Sequence, residues 1–196
     1  MLIGLTGNIA TGKSAAASFF KALGAKVIDA DRIVHELYDK NARIKLKILF
    51  AFGLSSIDFC RLSVNRHRLA KIVFSGKSKM QKLESIVWPY VDKEIARLVK
   101  SNGITIVEAA LLFESGMDKK MNKTIMVCAD KEVQLRRILQ RNRELSKEEA
   151  LKRINIQLSQ KEKAKKAEYV INNNSSLNNL EKEVKKVWKK LSIESH

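Results

Sequence analysis

Residues 7–14 have the sequence GNIATGKS, and this stretch decides the fold. It fits the pattern G-x-x-x-x-G-K-S and lies between an apolar run, Leu2–Leu5, and a helical pattern, Ala15–Leu23. A phosphate-binding loop needs this context of strand, loop and helix. The glycines let successive backbone N–H groups point inward at an anion, and the following helix adds the positive end of its dipole. The stretch therefore predicts a binding site for a nucleoside triphosphate.

The last two residues of the motif carry specific chemistry. We expect Lys13 to reach the β and γ phosphates as a point charge, and the Ser14 hydroxyl to help hold Mg²⁺. The alternative is a chance match in a glycine-containing turn. Four fixed letters arise by chance in a chain of this length less than about one time in a hundred, and the correct flanks make chance rarer still.

The composition indicates one soluble globular domain. The chain has 196 residues, of which 45% are hydrophobic and 30% charged, enough for one α/β core with an insertion or two. Cys60 and Cys128 have no C-x-x-C spacing and the three histidines are scattered, so we expect no zinc site. No apolar run approaches the roughly 20 residues of a membrane helix, and no basic region precedes the first strand. We therefore expect no membrane segment, no secretory signal and a cytoplasmic location.

The chain is strongly basic, with 38 Lys and Arg against 21 Asp and Glu and a net charge of +17. Such a charge fits a nucleic-acid surface, an anionic small substrate or a lysine-rich composition. The basic residues are spread along the chain and are not interleaved with aromatic residues, as single-strand binders require. The pattern favours a small polyanionic ligand and leaves nucleic-acid binding as the alternative.

The remaining pattern predicts a parallel sheet with two insertions. The predicted strands are Leu2–Leu5, Lys26–Ile28, Ile104–Val107, Thr124–Cys128 and Tyr169–Ile171. Residues 32–100 show helical spacing, with a break expected at Pro89, and they exceed what a simple crossover needs. Residues 132–166 predict two basic helices, in which Arg137 and Arg141 share a face. This pair is typical of a lid that closes over phosphates; a solvated helical hairpin is the alternative.

Carboxylates follow two of the predicted strands. Asp29 and Asp31 come directly after the second strand, and Glu108 and Glu114 follow the third. In parallel α/β sheets the carboxyl ends of the strands form the ligand-binding edge. Phosphoryl transfer to an alcohol needs a carboxylate that orients the hydroxyl and takes its proton. The alternatives are helix capping near Arg32 for the two aspartates and a solvated loop position for the two glutamates.

Short motifs along nearly the whole chain share one pattern. They are residues 4–7 (GLTG), 27–31 (VIDAD), 69–74 (LAKIVF), 83–89, 111–114 (LLFE), 153–157 and 167–174 (AEYVINNN). The phosphate loop is shared with many kinases, whereas Asp-Ala-Asp followed by Leu-Leu-Phe-Glu is more particular. Together these segments resemble the dephospho-coenzyme A kinase family of P-loop kinases.

The resemblance implies transfer of the γ-phosphoryl group of ATP to the ribose 3′-hydroxyl of dephospho-CoA with Mg²⁺, the final step of coenzyme A synthesis. It implies an α/β fold with a five-stranded parallel sheet flanked by helices, like that of nucleoside-monophosphate kinases. The core would comprise residues 1–31, 101–131 and 167–196, with an acceptor-binding helical insertion at 32–100 and a lid at 132–166. The partners would be ATP and dephospho-CoA, without nucleic acid or membrane, and the chain a monomer or small homo-oligomer.

The same resemblance assigns roles to residues. Asp31 is the implied catalytic aspartate, and Arg137 and Arg141 are the implied lid arginines. The predicted ATP-binding residues are Gly7, Ala10, Thr11, Gly12, Lys13, Ser14 and Ala15, with Ser14 also on Mg²⁺. The predicted substrate-binding residues are Asp29, Asp31, Glu108 and Glu114.

The chain also departs from the family pattern. Ala10 and Thr11 lie where members carry Gly-x-Gly, Asn65 replaces an aspartate and Trp88 a histidine. Glu108 replaces the aspartate of Asp-x-Pro and has a longer reach. Two rivals remain: a kinase of this fold with another acceptor, such as a nucleoside monophosphate, and a basic nucleic-acid-binding protein. A regulatory GTPase is disfavoured because the chain lacks Asn-Lys-x-Asp.

Overall fold

The computed structural model describes residues 1–58, 60, 63–73, 75–99, 102–142, 144–155 and 158–194. Phe74 and Gln157, which belong to the motifs of the resemblance, lie outside these residues. The chain divides into two compact units, Met1–Asp29 with Val99–His196 and Ala30–Leu98. We call them the sheet unit and the helical unit. Across the described residues, no helix combines the length and apolarity that crossing a membrane requires.

The described residues form seven strands, nine helices and two short 3₁₀ turns. The strands are β1 (Leu2–Thr6), β2 (Lys26–Asp29), β3 (Ile57–Asp58), β4 (Ser63–Val64), β5 (Thr105–Glu108), β6 (Lys123–Cys128) and β7 (Tyr169–Asn172). The helices are α1 (Lys13–Ala22), α2 (Ala30–Lys40), α3 (Ala42–Phe52), α4 (Arg66–Val73), α5 (Lys77–Leu98), α6 (Lys131–Arg141), α7 (Lys147–Asn155), α8 (Gln160–Lys166) and α9 (Leu177–Glu194). Short 3₁₀ turns span Leu54–Ser56 and Met117–Lys120.

The sheet unit contains a five-stranded sheet in the order β2-β5-β1-β6-β7. All four strand pairs are parallel, so the predicted fold class is confirmed. Glu108 is paired in register with Leu5 on one side and with Asp29 on the other. The carboxyl ends of β1, β2 and β5 therefore meet at one edge, where the phosphate loop begins.

The core of the sheet unit explains why its strands have continuous apolar sequences. Ile3 and Leu5 in β1 and Ile106 in β5 are completely buried. Helices α1 and α9 pack against each other, and Phe20 lies 6.4 Å from Trp188 between ring centroids. Each such buried side chain contributes about 1.5–3 kcal/mol relative to an exposed one. This core holds the end of β1, and hence the phosphate loop, in a fixed place.

The helical unit contains α2 to α5 and a short antiparallel hairpin of β3 and β4. The predicted break at Pro89 is wrong, because α5 runs from Lys77 to Leu98 through this proline. A proline inside a helix removes one backbone hydrogen bond and costs about 3 kcal/mol or more. Helix α5 packs against α2, α3 and α4 and buries Val87, Val91 and Ile95, and this burial offsets the cost.

One helix start and the number of helices in a second region differ from the prediction. Helix α2 begins at Ala30 and not near Arg32, so Asp31 lies in its first turn, where a carboxylate is favoured by the helix dipole. The region 132–166 forms three helices instead of two, because a further helix, α8, follows Ser159. Ser159 and Glu162 make a capping box at its start, a signal that the sequence did contain.

Candidate active site

The backbone of the phosphate loop needs glycine at two positions. Gly12 has φ +95° and directly precedes α1, and a Cβ there would lie 2.1 Å from Asn173 Nδ2. Gly7 has no room for a side chain, since a Cβ would lie 2.6 Å from Thr11 Oγ1 and 2.8 Å from the carbonyl oxygen of Val127. Close contacts with Asn173, Thr11 and Val127, together with the positive φ of Gly12, therefore explain both glycines of the motif.

Ala10 adopts the left-handed conformation, with φ +60°. This is the position where the family pattern has glycine, and the left-handed region costs a residue with a Cβ roughly 1–2 kcal/mol. Ala10 therefore adds backbone strain to the loop that a glycine at this position would not carry.

Two buried amide side chains donate hydrogen bonds to backbone carbonyls of the phosphate loop. Gln134 Nε2 donates to the carbonyl oxygen of Ile9 at 2.6 Å, and Asn173 Nδ2 donates to that of Thr11 at 2.7 Å. Gln134 is fully buried and Asn173 nearly so. Sequence reasoning missed both residues, since nothing local in a helix or after a strand marks an amide as a partner of a distant loop.

Arg137 also contacts the loop. Its Nη1 donates to the carbonyl oxygens of Ala10 at 3.3 Å and Thr11 at 3.4 Å, and its Nη2 donates to Asn173 Oδ1 at 3.4 Å. Partial burial, together with the neighbouring Arg136 and Arg141, lowers the pKa of its guanidinium. The predicted lid arginine therefore binds backbone carbonyls of the phosphate loop in this structure.

Arg141, the second predicted lid arginine, is exposed at the end of α6. Among the described residues it makes no hydrogen bond to the phosphate loop. The shared helix face that sequence spacing indicates thus brings only Arg137 of this pair to the loop.

Glu108 lies beside both functional side chains of the loop. Ser14 Oγ donates to Glu108 Oε1 at 2.6 Å, and Lys13 Nζ lies 3.6 Å from the same oxygen. Glu108 is only 7% exposed and the Lys13 side chain only 12%, whereas Ser14 is exposed, so this cluster opens to solvent on the side of the hydroxyl. A hydroxyl and a carboxylate provide oxygen ligands, which suit Mg²⁺.

The two predicted aspartates lie on either side of the boundary between the units. Asp29 ends β2 and is exposed, and its register with Glu108 places it at the ligand edge of the sheet. Asp31 lies two residues further, in the first turn of α2. The structure thus puts Asp29 and Glu108 at the same edge of the sheet.

Glu114 is bound within the protein. Its Oε1 lies 2.7 Å from Nζ of Lys163, whose side chain is completely buried, and accepts a hydrogen bond from the backbone N–H of Leu158 at 3.3 Å. The Glu114 side chain is 21% exposed, so the alternative of a solvated loop carboxylate does not hold. Lys163 was not predicted, because a lysine in a lysine-rich helix gives no local sign of burial.

These features together define a class of protein. A G-x-x-x-x-G-K-S loop between β1 and α1, with a buried carboxylate on the adjacent strand, is the arrangement of P-loop kinases. A family model described as dephospho-CoA kinase matches residues 1–179.

Individual relatives agree with this match. The dephospho-CoA kinase of Fusobacterium nucleatum is 40% identical over 188 residues, which cover 95% of this chain and 96% of that protein. The dephospho-CoA kinase of Aquifex aeolicus is 39% identical and covers 97% of both chains. The structure of the dephospho-CoA kinase from Campylobacter jejuni has a TM-score of 0.69 at 34% identity and covers 100% of this chain and 98% of its own. The chain belongs to the dephospho-CoA kinase family, as the resemblance predicted.

Proposed function

We propose that this chain transfers the γ-phosphoryl group of ATP to the ribose 3′-hydroxyl of dephospho-CoA, which gives coenzyme A and ADP. The observation that carries the proposal is the cluster of Lys13, Ser14 and Glu108 at the end of β1 and β5, in a chain of this family. Neither nucleic-acid binding nor another acceptor is favoured by the relatives. A cytoplasmic location and a monomer or small homo-oligomer stay predictions.

The phosphate loop provides positive charge and donors for the transferred group. Lys13 would neutralise the β and γ phosphates, and the loop N–H groups would bind their oxygens, since phosphoryl transfer depends on positioning and electrostatic stabilisation. The residues present fit Mg²⁺: the Ser14 hydroxyl and the Glu108 carboxylate would hold it, directly or through water. When bound, the ion would neutralise charge that develops on the phosphate oxygens.

Asp31 is our choice for the group that orients the acceptor hydroxyl and takes its proton. Its place in the family motif and in the first turn of α2 supports this choice. The first aspartate of the motif, Asp29, would bind the acceptor or metal-bound water at the edge that it shares with Glu108. The helical unit would hold the rest of dephospho-CoA, and Arg137 and Arg141 would contribute when ATP is present.

A coupled assay of ADP release with ATP, Mg²⁺ and dephospho-CoA tests this proposal. We expect turnover by the native chain and a loss of at least about 100-fold in Asp31→Asn with ATP binding intact, since general acid–base groups contribute that much. Asp130→Asn is a matched control, because Asp130 is exposed and makes no capping hydrogen bond with its side chain. A clear preference of the native chain for a nucleoside monophosphate would contradict the proposed acceptor.

A further inference from the structure

Residues 158–163, which we call the connecting segment, hydrogen-bond to the loops after three strands. At its start, the carbonyl oxygen of Leu158 accepts from Asn8 Nδ2 at 3.0 Å, and its N–H donates to Glu114 Oε1 at 3.3 Å. Asn8 belongs to the phosphate loop after β1, and Glu114 to the loop after β5. One backbone residue thus links the phosphate loop to the loop that follows Glu108.

Gln160 adds a link to the loop after β6. Its Oε1 accepts from the N–H of Ala129 at 3.0 Å, and its Nε2 donates to the carbonyl oxygen of Ala129 at 2.8 Å. The same Nε2 also donates to Gln134 Oε1 at 2.9 Å, and Gln134 in turn holds the carbonyl oxygen of Ile9. The connecting segment therefore reaches the phosphate loop by a second, independent route.

Lys163 is the charged member of the segment. Its side chain is completely buried, and its Nζ donates to the carbonyl oxygen of Ala110 at 2.9 Å and lies 2.7 Å from Glu114 Oε1. A buried ammonium is stable only when it is paired and hydrogen-bonded. Ala110 follows Glu108 by two residues, and its carbonyl also accepts from Thr6 Oγ1 at 3.3 Å. Lys163 thus holds both ends of the turn that begins directly after Glu108.

We infer that Lys163 is a positioning residue for the phosphoryl-transfer centre. It fixes residues 109–114, and with them the Glu108 carboxylate, relative to Lys13 and Ser14. The inference rests on the proposed function in so far as Glu108 serves Mg²⁺ and the phosphates. A displacement of about 1 Å in such a group can lower turnover about 100-fold. Without Lys163 the turn would keep its hydrogen bonds from Thr6 and Leu158 but lose both contacts with the ammonium, and we expect the Glu108 carboxylate to be held less tightly relative to the loop.

The test compares Lys163→Met, Lys163→Arg and the control Lys161→Met, which changes an exposed lysine of the same helix. We expect kcat of Lys163→Met to fall by about 10- to 100-fold. The Mg²⁺ concentration that gives half-maximal activity should rise. Lys163→Arg should recover most of the activity, because a guanidinium can still donate to the Ala110 carbonyl and to Glu114. Lys161→Met should behave as the native chain.

A second readout separates positioning from general stability and from the identity of the acceptor. Calorimetry gives the ratio of the ATP affinities with and without Mg²⁺, and this ratio needs no acceptor and is unchanged by lower thermal stability alone. We expect the ratio to fall several-fold in Lys163→Met. A folded Lys163→Met with native kcat and a native ratio would overturn the inference, even with a lower Tm. If the native chain binds Mg·ATP without turning over dephospho-CoA, the acceptor is wrong and the ratio still decides the role of Lys163.

If Lys163→Met does not fold, Glu114→Gln provides the test instead. This variant removes the charge of the carboxylate that pairs with Lys163 and keeps the size of the side chain. We expect the same changes in kcat and in the Mg²⁺ dependence, in the same direction. Native values of both quantities in folded Glu114→Gln would then overturn the inference.

Discussion

The phosphate loop and the connecting segment lie at the same edge of the sheet but differ in their hydrogen bonds, which include bonds between near neighbours in the loop and bonds across long sequence distances in the segment. Within the loop, Thr11 bonds to Asn8 through both its N–H and its hydroxyl, three residues apart. In the connecting segment, Leu158 bonds to a residue 150 positions away and Lys163 to one 53 positions away. The turn inside the loop is therefore formed by the loop's own residues, although Gln134 and Asn173 also bind it from a distance, whereas these bonds of the connecting segment exist only in the folded sheet unit.

The largest effect that we expect lies in the loop. Lys13→Ala should lower kcat/KM for ATP by at least about 100- to 1000-fold, because one positioned donor at developing charge is worth that much. The ADP-release assay measures it, and Lys21→Ala, an exposed lysine of α1, is the control. Near-native turnover in Lys13→Ala would show that the G-x-x-x-x-G-K-S loop is not the phosphate-binding site.

The same contrast explains what the sequence could predict. Buried strands such as Leu2–Thr6 and the loop that follows are recognisable because an apolar run and the fixed letters of G-x-x-x-x-G-K-S are each contiguous in the sequence. Glu108 could be placed at the ligand edge, since it follows a strand of a parallel sheet. Its contact with Ser14 could not, because the distance between a strand side chain and one at the start of α1 depends on packing and rotamers.

Other errors came from tertiary packing that outweighs local preference. Pro89 predicts a helix break, but the buried face of α5 keeps the helix intact. Lys163 is one of several lysines in α8, and only the fold shows that it points inward to the turn after β5. Gln134 likewise resembles any polar residue of a basic helix until its bond to Ile9 is seen.

A second prediction tests whether a distant link matters as much as a local one. Gln134→Leu removes the donor to the Ile9 carbonyl and one of the two acceptors of Gln160 Nε2, and the loss of these buried hydrogen bonds should cost about 1–3 kcal/mol of stability. The loop should also loosen, so we expect KM for ATP to rise several-fold with a smaller change in kcat. Denaturant unfolding and steady-state kinetics measure both, with exposed Gln140→Leu of the same helix as control. An unchanged KM would confine Gln134 to stability.

A third prediction concerns strain within the loop. Ala10→Gly should relieve the cost of φ +60°, so we expect a gain of up to about 1 kcal/mol in unfolding free energy, reduced by the greater freedom of glycine in the unfolded chain. Ala96→Gly, at an exposed position inside α5, should instead lose about 0.5–1 kcal/mol. Opposite signs in denaturant unfolding would show that the local backbone conformation decides the outcome, and equal losses would contradict it.

The smallest effect is expected from a distant link that lies away from the site. Glu168 accepts hydrogen bonds from the N–H of Thr124, at 2.7 Å, and from its hydroxyl, near the start of β6. Burial acts to raise the pKa of Glu168, but these hydrogen bonds outweigh it and leave the pKa below its ordinary value of 4.5. A carboxyl with a lowered pKa in the folded state stabilises above its unfolded pKa and loses this contribution as the pH falls through the folded pKa.

Glu168→Gln should therefore flatten the fall of Tm on acidification below about pH 4.5 and leave kcat unchanged at neutral pH. Thermal unfolding at a series of pH values measures this, with exposed Glu144→Gln as control. Parallel Tm curves for native and Glu168→Gln would contradict the linkage. Glu168 and Lys163 both connect segments that are distant in sequence, but only the link of Lys163 ends near Glu108. We therefore expect only that link to affect kcat, and a lower kcat in Glu168→Gln would contradict this expectation.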